Sequence, residues 1–378
     1  MTNTKPIWRV LDEQVESGRI PGYVAAVRLG GEESIRAGGR MHLDADAPMR
    51  EDTLFRIASV TKPIGAALTL SLIEDGVLTL DDAVARWLPE LADPAVLVAP
   101  DAPLDRTTPA LEQLTLRHLL TFTCGWGAVF EDTPLQRAMF ENGVYPGPLP
   151  HPMSGDEFVA RLARLPLAFQ PGHGWLYDTG MKVVGVLLTR ATGRPLSQLM
   201  AERITGPLGM SSTAFSAVDV DRLATAYQPG PDGLDVLDPP DGAFARPTDF
   251  EELSGGLVSS APDLLRFFCA MADGGASVLS ADSLALMTAD ALTAEQRRHG
   301  APILDGGVSW GLGTSVEIEA TEPWMSPGRW GWTGGTGTSA YVDPARETVA
   351  VLLTQRLMAG PHDAPASFWT AVAESARP

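Results

Sequence analysis

Apolar positions recur along this chain at two periods, and the two periods occupy different stretches. Ile7, Val10, Leu11, Gln14 and Val15 fall at helical spacing, which predicts an amphipathic helix over residues 5–17. Gly18 and Pro21-Gly22 end it. Tyr23 to Leu29, then Gly30-Gly31, then Ser34 to Ala37 reads as strand, turn and strand. Thr53 to Ile57 predicts a further short strand, and Ile64, Leu68 and Leu72, four apart, predict the helix after it.

From about residue 76 to 250 the pattern changes. Leu-rich helical pieces at 81–88, 115–122, 155–164, 180–192 and 196–204 alternate with Pro- and Gly-rich loops. Residues 228–247 carry Pro229, Pro231, Pro239, Pro240 and Pro247 and read as one long irregular loop. A helix at 261–272 has Pro262 in its first turn, where proline is tolerated. Strands follow at 308–319, 337–343 and 347–355, and a last helix at about 364–376. This order predicts a sheet domain built from both termini, residues 1–75 and 251–378, with a mainly helical domain, residues 76–250, inserted between them.

Composition changes this picture little: 44% hydrophobic and 20% charged residues over 378 positions are those of an ordinary folded protein. Charge narrows the partners. A net charge of −19 repels phosphate backbones and anionic lipid, so neither nucleic acid nor a membrane is an expected partner. No apolar run approaches the eighteen or so residues of a membrane span, and the N-terminus lacks the apolar core of a signal peptide; the expectation is a cytoplasmic chain. Cys124 and Cys269 are the two cysteines, and a disulfide between them is not expected there.

The lysines are the first chemical signal. There are three, Lys5, Lys62 and Lys182, against 25 arginines. Arginine does not give up its proton, whereas a buried lysine shifts its pKa readily. Lys62 stands three residues after Ser59, and residues three apart on a helix share a face. Pro63 would clash with the carbonyl of Ser59, which puts Ser59 at the mouth of the helix rather than inside it. Free N–H groups there favour a developing oxyanion. The alternative is a capping Ser59 beside a surface lysine. A second signal is Gln170-Pro171-Gly172-His173-Gly174-Trp175-Leu176-Tyr177, a turn leading to a tyrosine just before a helix. Such a tyrosine can act as a general base when a cation lowers its pKa, or it can simply pack. His173, between two glycines, reads as an exposed loop residue. A third is Trp330-Gly331-Trp332-Thr333-Gly334-Gly335-Thr336-Gly337, where glycines allow backbone to approach a ligand; the plain alternative is a hairpin with packing tryptophans.

Other motifs compete or are absent. Gly307-Val308-Ser309-Trp310-Gly311 fits the nucleophile elbow of α/β-hydrolases, with Asp343 and His362 downstream in the required order. The elbow needs a helix after its serine, and the residues after Ser309 alternate like a strand. No metal-binding spacing occurs. His118 reads as a satisfied helix histidine and Cys269 as a core thiol.

Taken in order, these segments resemble the class C-like branch of the serine β-lactamase and penicillin-binding-protein superfamily. That branch contains class C β-lactamases, D-alanyl-D-alanine carboxypeptidases and family VIII carboxylesterases. The resemblance rests on Phe55 to Lys62, Leu116 to Thr121, Phe169 to Tyr177, Thr192-Gly193, Pro207 to Met210 and Gly255 to Leu264. It implies an α+β, β-lactamase/transpeptidase-like fold. An antiparallel sheet is flanked by the N- and C-terminal helices, and the active site lies in the cleft beside the helical domain. It implies Ser59 as acylated nucleophile, Lys62 assisting proton removal, and Tyr177 as base and then acid. Backbone N–H groups of Ser59 and Gly335 form the oxyanion hole, and Trp332, Thr333, Gly334 and Thr179 face the substrate. No cofactor or metal is implied. Two positions depart from the family pattern. Thr179 stands where an Asn is usual, and Trp332 where a Lys or His is usual. Both losses disfavour a substrate carboxylate and point to a neutral small-molecule ester, with β-lactamase, D-amino-acid peptidase or amidase, and acyltransferase chemistry as alternatives; a non-catalytic binding module on this fold is the alternative of another class, against which the intact Ser59, Lys62 and Tyr177 argue. A cation from Arg329 nearby would reopen anionic substrates.

Overall fold

The computed structural model describes residues 3–361, 363 and 365–376. Helix α1 (Lys5–Glu16) forms where the apolar spacing predicts it, with Ile7 and Leu11 buried. Strands β1 (Gly22–Leu29) and β2 (Glu32–Gly39) pair as the predicted hairpin. The remaining sheet strands come from the C-terminal third: β3 (Val308–Trp310), β4 (Ser315–Glu317), β5 (Trp330–Gly334), β6 (Thr338–Asp343) and β7 (Thr348–Thr354). The seven lie in the order β2-β1-β7-β6-β5-β4-β3, antiparallel throughout. The last strand therefore sits between the first and the sixth, pairing Leu29 with Thr348 and Tyr23 with Thr354.

Side chains alternate across this sheet and both faces are covered. One face packs Tyr23, Ala25, Val27, Ala350 and Leu352 against α1 and the C-terminal helix, which carries Phe368, Trp369 and Val372. The other packs Val24, Ala26, Val351 and Leu353 into a core shared with helix α2 (Thr61–Glu74) and with residues of the 76–250 segment such as Leu119, Phe158 and Leu187. Helix α2 is buried along nearly its whole length, and helix α3 (Thr179–Thr192) is buried from Thr179 to Leu188. Helix α4 (Ala261–Ala272) takes its cap from Ser260, whose hydroxyl accepts from the Asp263 N–H. This is the β-lactamase/transpeptidase-like fold. No helix among the described residues is long and apolar enough to cross a membrane.

Three expectations are corrected. Residues 228–247 are not one irregular loop: Ala226–Gly230 and Gly233–Asp238 form a hairpin. Its tight end is met by Gly233 at φ +138°, and Pro229 is tolerated in a two-stranded ribbon that has free edges. Residues 81–88 hold only a single turn, Val84–Arg86, because Pro89 forces the residue before it out of the helical region. The run 308–319 is two strands, not one. It reverses through Gly313 at φ +69°, a site where a side chain would meet the Ala66 methyl at 2.8 Å.

Candidate active site

The short strand Phe55–Arg56 pairs with Val258–Ser259 and delivers the chain to a 3₁₀ turn, Ala58–Val60, at the mouth of α2. Ala58 is held at φ +43°, a conformation that costs an alanine about 1–3 kcal/mol and that recurs where function fixes the backbone. Ser59 lies in this turn, before the helix, as the clash imposed by Pro63 requires. The turn between β5 and β6 is tied to the same segment. Thr336 Oγ1 donates to the Arg56 carbonyl at 2.6 Å and Thr338 Oγ1 to that of Ile57 at 2.8 Å. Gly334 packs so closely there that a Cβ would sit 2.6 Å from the Ile57 carbonyl oxygen. Gly335 thus faces the turn that carries Ser59.

Lys62 is fully buried one helical turn on. Its Nζ donates to Ser59 Oγ at 2.8 Å, to Asp178 Oδ1 at 2.7 Å and to the Ser254 carbonyl at 2.7 Å. Those bonds use all three ammonium hydrogens. Burial works against its charge, but Asp178 and Tyr177 outweigh burial and raise its pKa above the ordinary lysine value. Lys62 is therefore an ammonium that donates to the serine. Its Nζ also lies 4.4 Å from the Tyr177 ring centroid.

Tyr177 is held in an aromatic box. Its ring meets Phe122 at 5.5 Å and 88°, Trp310 at 6.1 Å and 88°, and Trp332 at 5.7 Å. Its hydroxyl accepts from Trp332 Nε1, and its carbonyl accepts from the Ala128 N–H at 2.8 Å. Asp178, next in the chain, is buried at φ +88°, ψ −61°, just before α3. Burial opposes its charge, but Lys182 and Lys62 together hold its carboxyl well below the usual range.

Ser59, Tyr177, Asp178, Trp332, Thr333 and Gly335 line one cleft of about 440 Å³. Phe130, Tyr145, Pro146, Pro148, Ile303, Leu357 and Met358 supply most of its apolar wall. Asp178 is the one charged side chain lining it among the described residues, and no Lys or Arg does.

Two expected substrate-facing residues sit elsewhere. Thr179 is fully buried in the first turn of α3 and is not among the cleft's lining; its hydroxyl has no hydrogen-bond partner. Gly334 is likewise off the lining and serves the close packing against Ile57. Arg329 does not bring a cation to the cleft: it is buried against Glu317, with its guanidinium 3.9 Å from the Tyr341 ring centroid and 4.5 Å from that of Trp369. Ser309 lies inside β3 with its hydroxyl donated to Asp290, and no helix follows it. Asp343 is engaged by Ser326 and Arg346; His362 lies outside the described residues. His173 is exposed, and His118 Nδ1 accepts the Thr115 N–H within a helix cap. Both cysteines are free and buried, and burial pushes their thiols up to about 11 and about 12.

The residues that sequence reasoning missed are Asp178, Ser254, Lys182 and Glu252. One signal was available for Lys182, its rarity; it is the third lysine, and it meets the second through Asp178.

The solved structure of EstCE1, described as a hydrolase with promiscuous acyltransferase activity, shares this fold with a TM-score of 0.83 over 98% of this chain and 97% of its own, at 24% identity. The LovD9 mutant of simvastatin synthase from Aspergillus terreus superposes with a TM-score of 0.79 at 26% identity, covering 98% and 97% of the two chains. In sequence, the chain is 34% identical to Esterase EstB of Burkholderia gladioli over 93% of this chain and 90% of that one. It is 30% identical to Monacolin J acid methylbutanoyltransferase of Aspergillus terreus over 87% and 85%. The Beta-lactamase family model matches residues 7–373, and with these relatives it makes the chain a member of that family of serine hydrolases and related acyltransferases.

Proposed function

We propose that this protein is a carboxylesterase that cleaves small neutral esters through an acyl-enzyme on Ser59. The observation that carries the reading is the pairing of Ser59 Oγ with Lys62 Nζ at 2.8 Å beside a mostly apolar cleft that is lined by one carboxylate and by no cation. Tyr177, whose ring lies 4.4 Å from the Lys62 ammonium, takes the Ser59 proton as Oγ attacks the ester carbonyl carbon. The N–H groups of Ser59 and Gly335 receive the oxyanion. As the tetrahedral intermediate collapses, the bond to the alcohol oxygen breaks and Tyr177 returns the proton to it. Water repeats the sequence in reverse, with Tyr177 again the base, and releases the acid.

Ester preference rests on Trp332 and Asp178. A carboxylate bound there would meet an indole and a second carboxylate, and burying it without a cation costs several kcal/mol. A neutral acyl group instead gains about 25 cal/mol per Å² of apolar surface covered. Acyl transfer to an alcohol uses the same steps with a different second nucleophile, and the named transferase among the relatives favours keeping it as a second reading.

The test compares p-nitrophenyl butyrate with a chromogenic cephalosporin and measures partition of the acyl group between water and an added alcohol. Ester turnover at least about a hundredfold above the cephalosporin in kcat/KM, a gap of about 2.7 kcal/mol, is expected. Comparable values for the two would overturn the ester preference, and an acyl group passed mainly to the alcohol would make the enzyme a transferase.

A further inference from the structure

Lysine is scarce in this chain, yet two of its three lysines meet in one buried cluster. Lys182 projects from α3 one turn after Asp178 and is almost fully buried. Its Nζ donates to Ser254 Oγ at 2.6 Å and lies 3.4 Å from Asp178 Oδ2 and 3.5 Å from Glu252 Oε1. Asp178 therefore has Lys62 on one oxygen and Lys182 on the other. The cluster is a row, Lys62–Asp178–Lys182–Glu252, with equal numbers of cationic and anionic side chains. Ser254 links its two lysines, accepting from Lys62 at its carbonyl and from Lys182 at its hydroxyl.

We infer that Lys182 is a positioning residue for the reaction: by taking up the far oxygen of Asp178 it offsets that carboxylate's field on Lys62 and Tyr177. This deepens the serine-hydrolase reading above and rests on it. Asp178 adjoins the general base in sequence and touches its cationic partner in space. An unopposed carboxylate 2.7 Å from Lys62 would hold the proton on that ammonium more tightly, because opposite charges in contact favour the charged form. Lys182 supplies the opposing charge without entering the cleft. An arginine's forked guanidinium is a poor substitute for a point charge with three donors in so small a space. Beyond Tyr177, the titratable groups facing this row are His151 and Tyr145. The imidazole of His151 and the phenol of Tyr145 both lie within the field of Asp178. Each is present in every variant compared below.

The experiment follows the rate of fluorophosphonate labelling of Ser59 against pH in the full-length protein, together with kcat/KM for p-nitrophenyl butyrate. Removing the Lys182 charge leaves the Asp178 carboxylate unopposed beside Lys62, which then holds its proton more tightly, so the active form appears at higher pH. Lys182→Met should move the acid limb of both profiles up by about one pH unit, a loss of about tenfold at a pH below the limb. Asp178→Asn should move it down. The charge-balanced pair Asp178→Asn with Lys182→Met should return it close to the wild-type position, which a purely structural role for Lys182 would not produce. If Lys182→Met fails to fold, Asp178→Asn decides: a downward limb supports the inference and an unmoved one overturns it. A labelled wild type whose limb Lys182→Met leaves in place overturns this inference alone. A wild type that takes no label on Ser59 overturns the serine reading and this inference with it.

Discussion

Ser59 and Ser309 both stand in short sequences that spell a nucleophile, and their surroundings differ in almost every physical respect. Ser59 occupies a strained turn at a helix mouth, takes a hydrogen bond from a buried ammonium, and opens onto a cleft. Ser309 sits in the middle of a strand, fully buried, with its hydroxyl satisfied by Asp290. The lesson is that a serine becomes reactive through the backbone that presents it and the charge aimed at it. The glycines of the second motif serve a different end. Gly311 has no room for a side chain against the Met287 carbonyl, and Trp310 forms a wall of the aromatic box around Tyr177.

The most decisive way to break this contrast is to remove each hydroxyl. Ser59→Ala should lower ester kcat by about 10⁴-fold or more, while Ser309→Ala should keep turnover near the wild-type value and lose about 1 kcal/mol of stability with its hydrogen bond to Asp290, which keeps Leu292 N–H and Arg297 as partners. Steady-state rates and urea midpoints of the two variants separate these outcomes, and a dead Ser309→Ala with an active Ser59→Ala would reverse the comparison. Next in size is Tyr177→Phe, expected to cost about 10²–10⁴ in kcat with little change in melting temperature. Near-normal turnover would assign the base elsewhere.

A third test uses the ionic row behind Ser59, which has no counterpart at Ser309. Burial, and then Lys182, press the His151 pKa from 6.5 down to about 4. The unfolded chain binds this proton near pH 6.5 and the folded chain only near pH 4. Stability is therefore full above pH 6.5 and falls as pH drops through that window, by about 3 kcal/mol. His151→Gln should flatten this part of the curve of unfolding free energy against pH; an unchanged slope would place the titration in another group. The smallest expected effect is at the cleft wall. Trp332→Lys should raise cephalosporin kcat/KM about tenfold, roughly 1.4 kcal/mol, by offering its carboxylate a cation. A variant with no gain would show that the indole was not what excludes the carboxylate.

Much of this was legible in the chain. Helices α1 and α4 and the first hairpin follow from apolar pattern and punctuation alone: α1 buries one face, and β1, covered on both faces, reads as a continuous apolar run closed by Gly30-Gly31. Ser59, Lys62, Tyr177 and Gly335 were placed by local chemistry and by resemblance; the fold brings Ser59, Tyr177 and Gly335 to one cleft and buries Lys62 behind Ser59. What was not legible depends on contacts between distant segments. Asp178 stands just before α3 without forming a cap bond, and its carboxylate turns to two lysines, 116 positions back and four ahead in the chain. Arg329 is one residue from the Trp330–Gly334 strand, but a strand alternates faces, and its pairing with Glu317 puts it against Tyr341 and Trp369. The short helix Pro134–Glu141 was missed because its apolar face, Leu135, Ala138 and Met139, spans barely two turns.

The place of β7 in the sheet sets a timetable for the newborn chain. Leu29 finds its partner Thr348 only after about 320 further residues have been made, which takes roughly 15–60 s at about 5–20 residues per second. Throughout that interval β1 and β2 can exist only as a two-stranded ribbon with one long apolar edge open, a marginal structure by itself and a template for pairing with other chains. The residues Leu357 and Met358 that close the cleft are made later still. The complete cleft is thus withheld until after β7 has been made, when the stretch of open-edge aggregation risk has already ended.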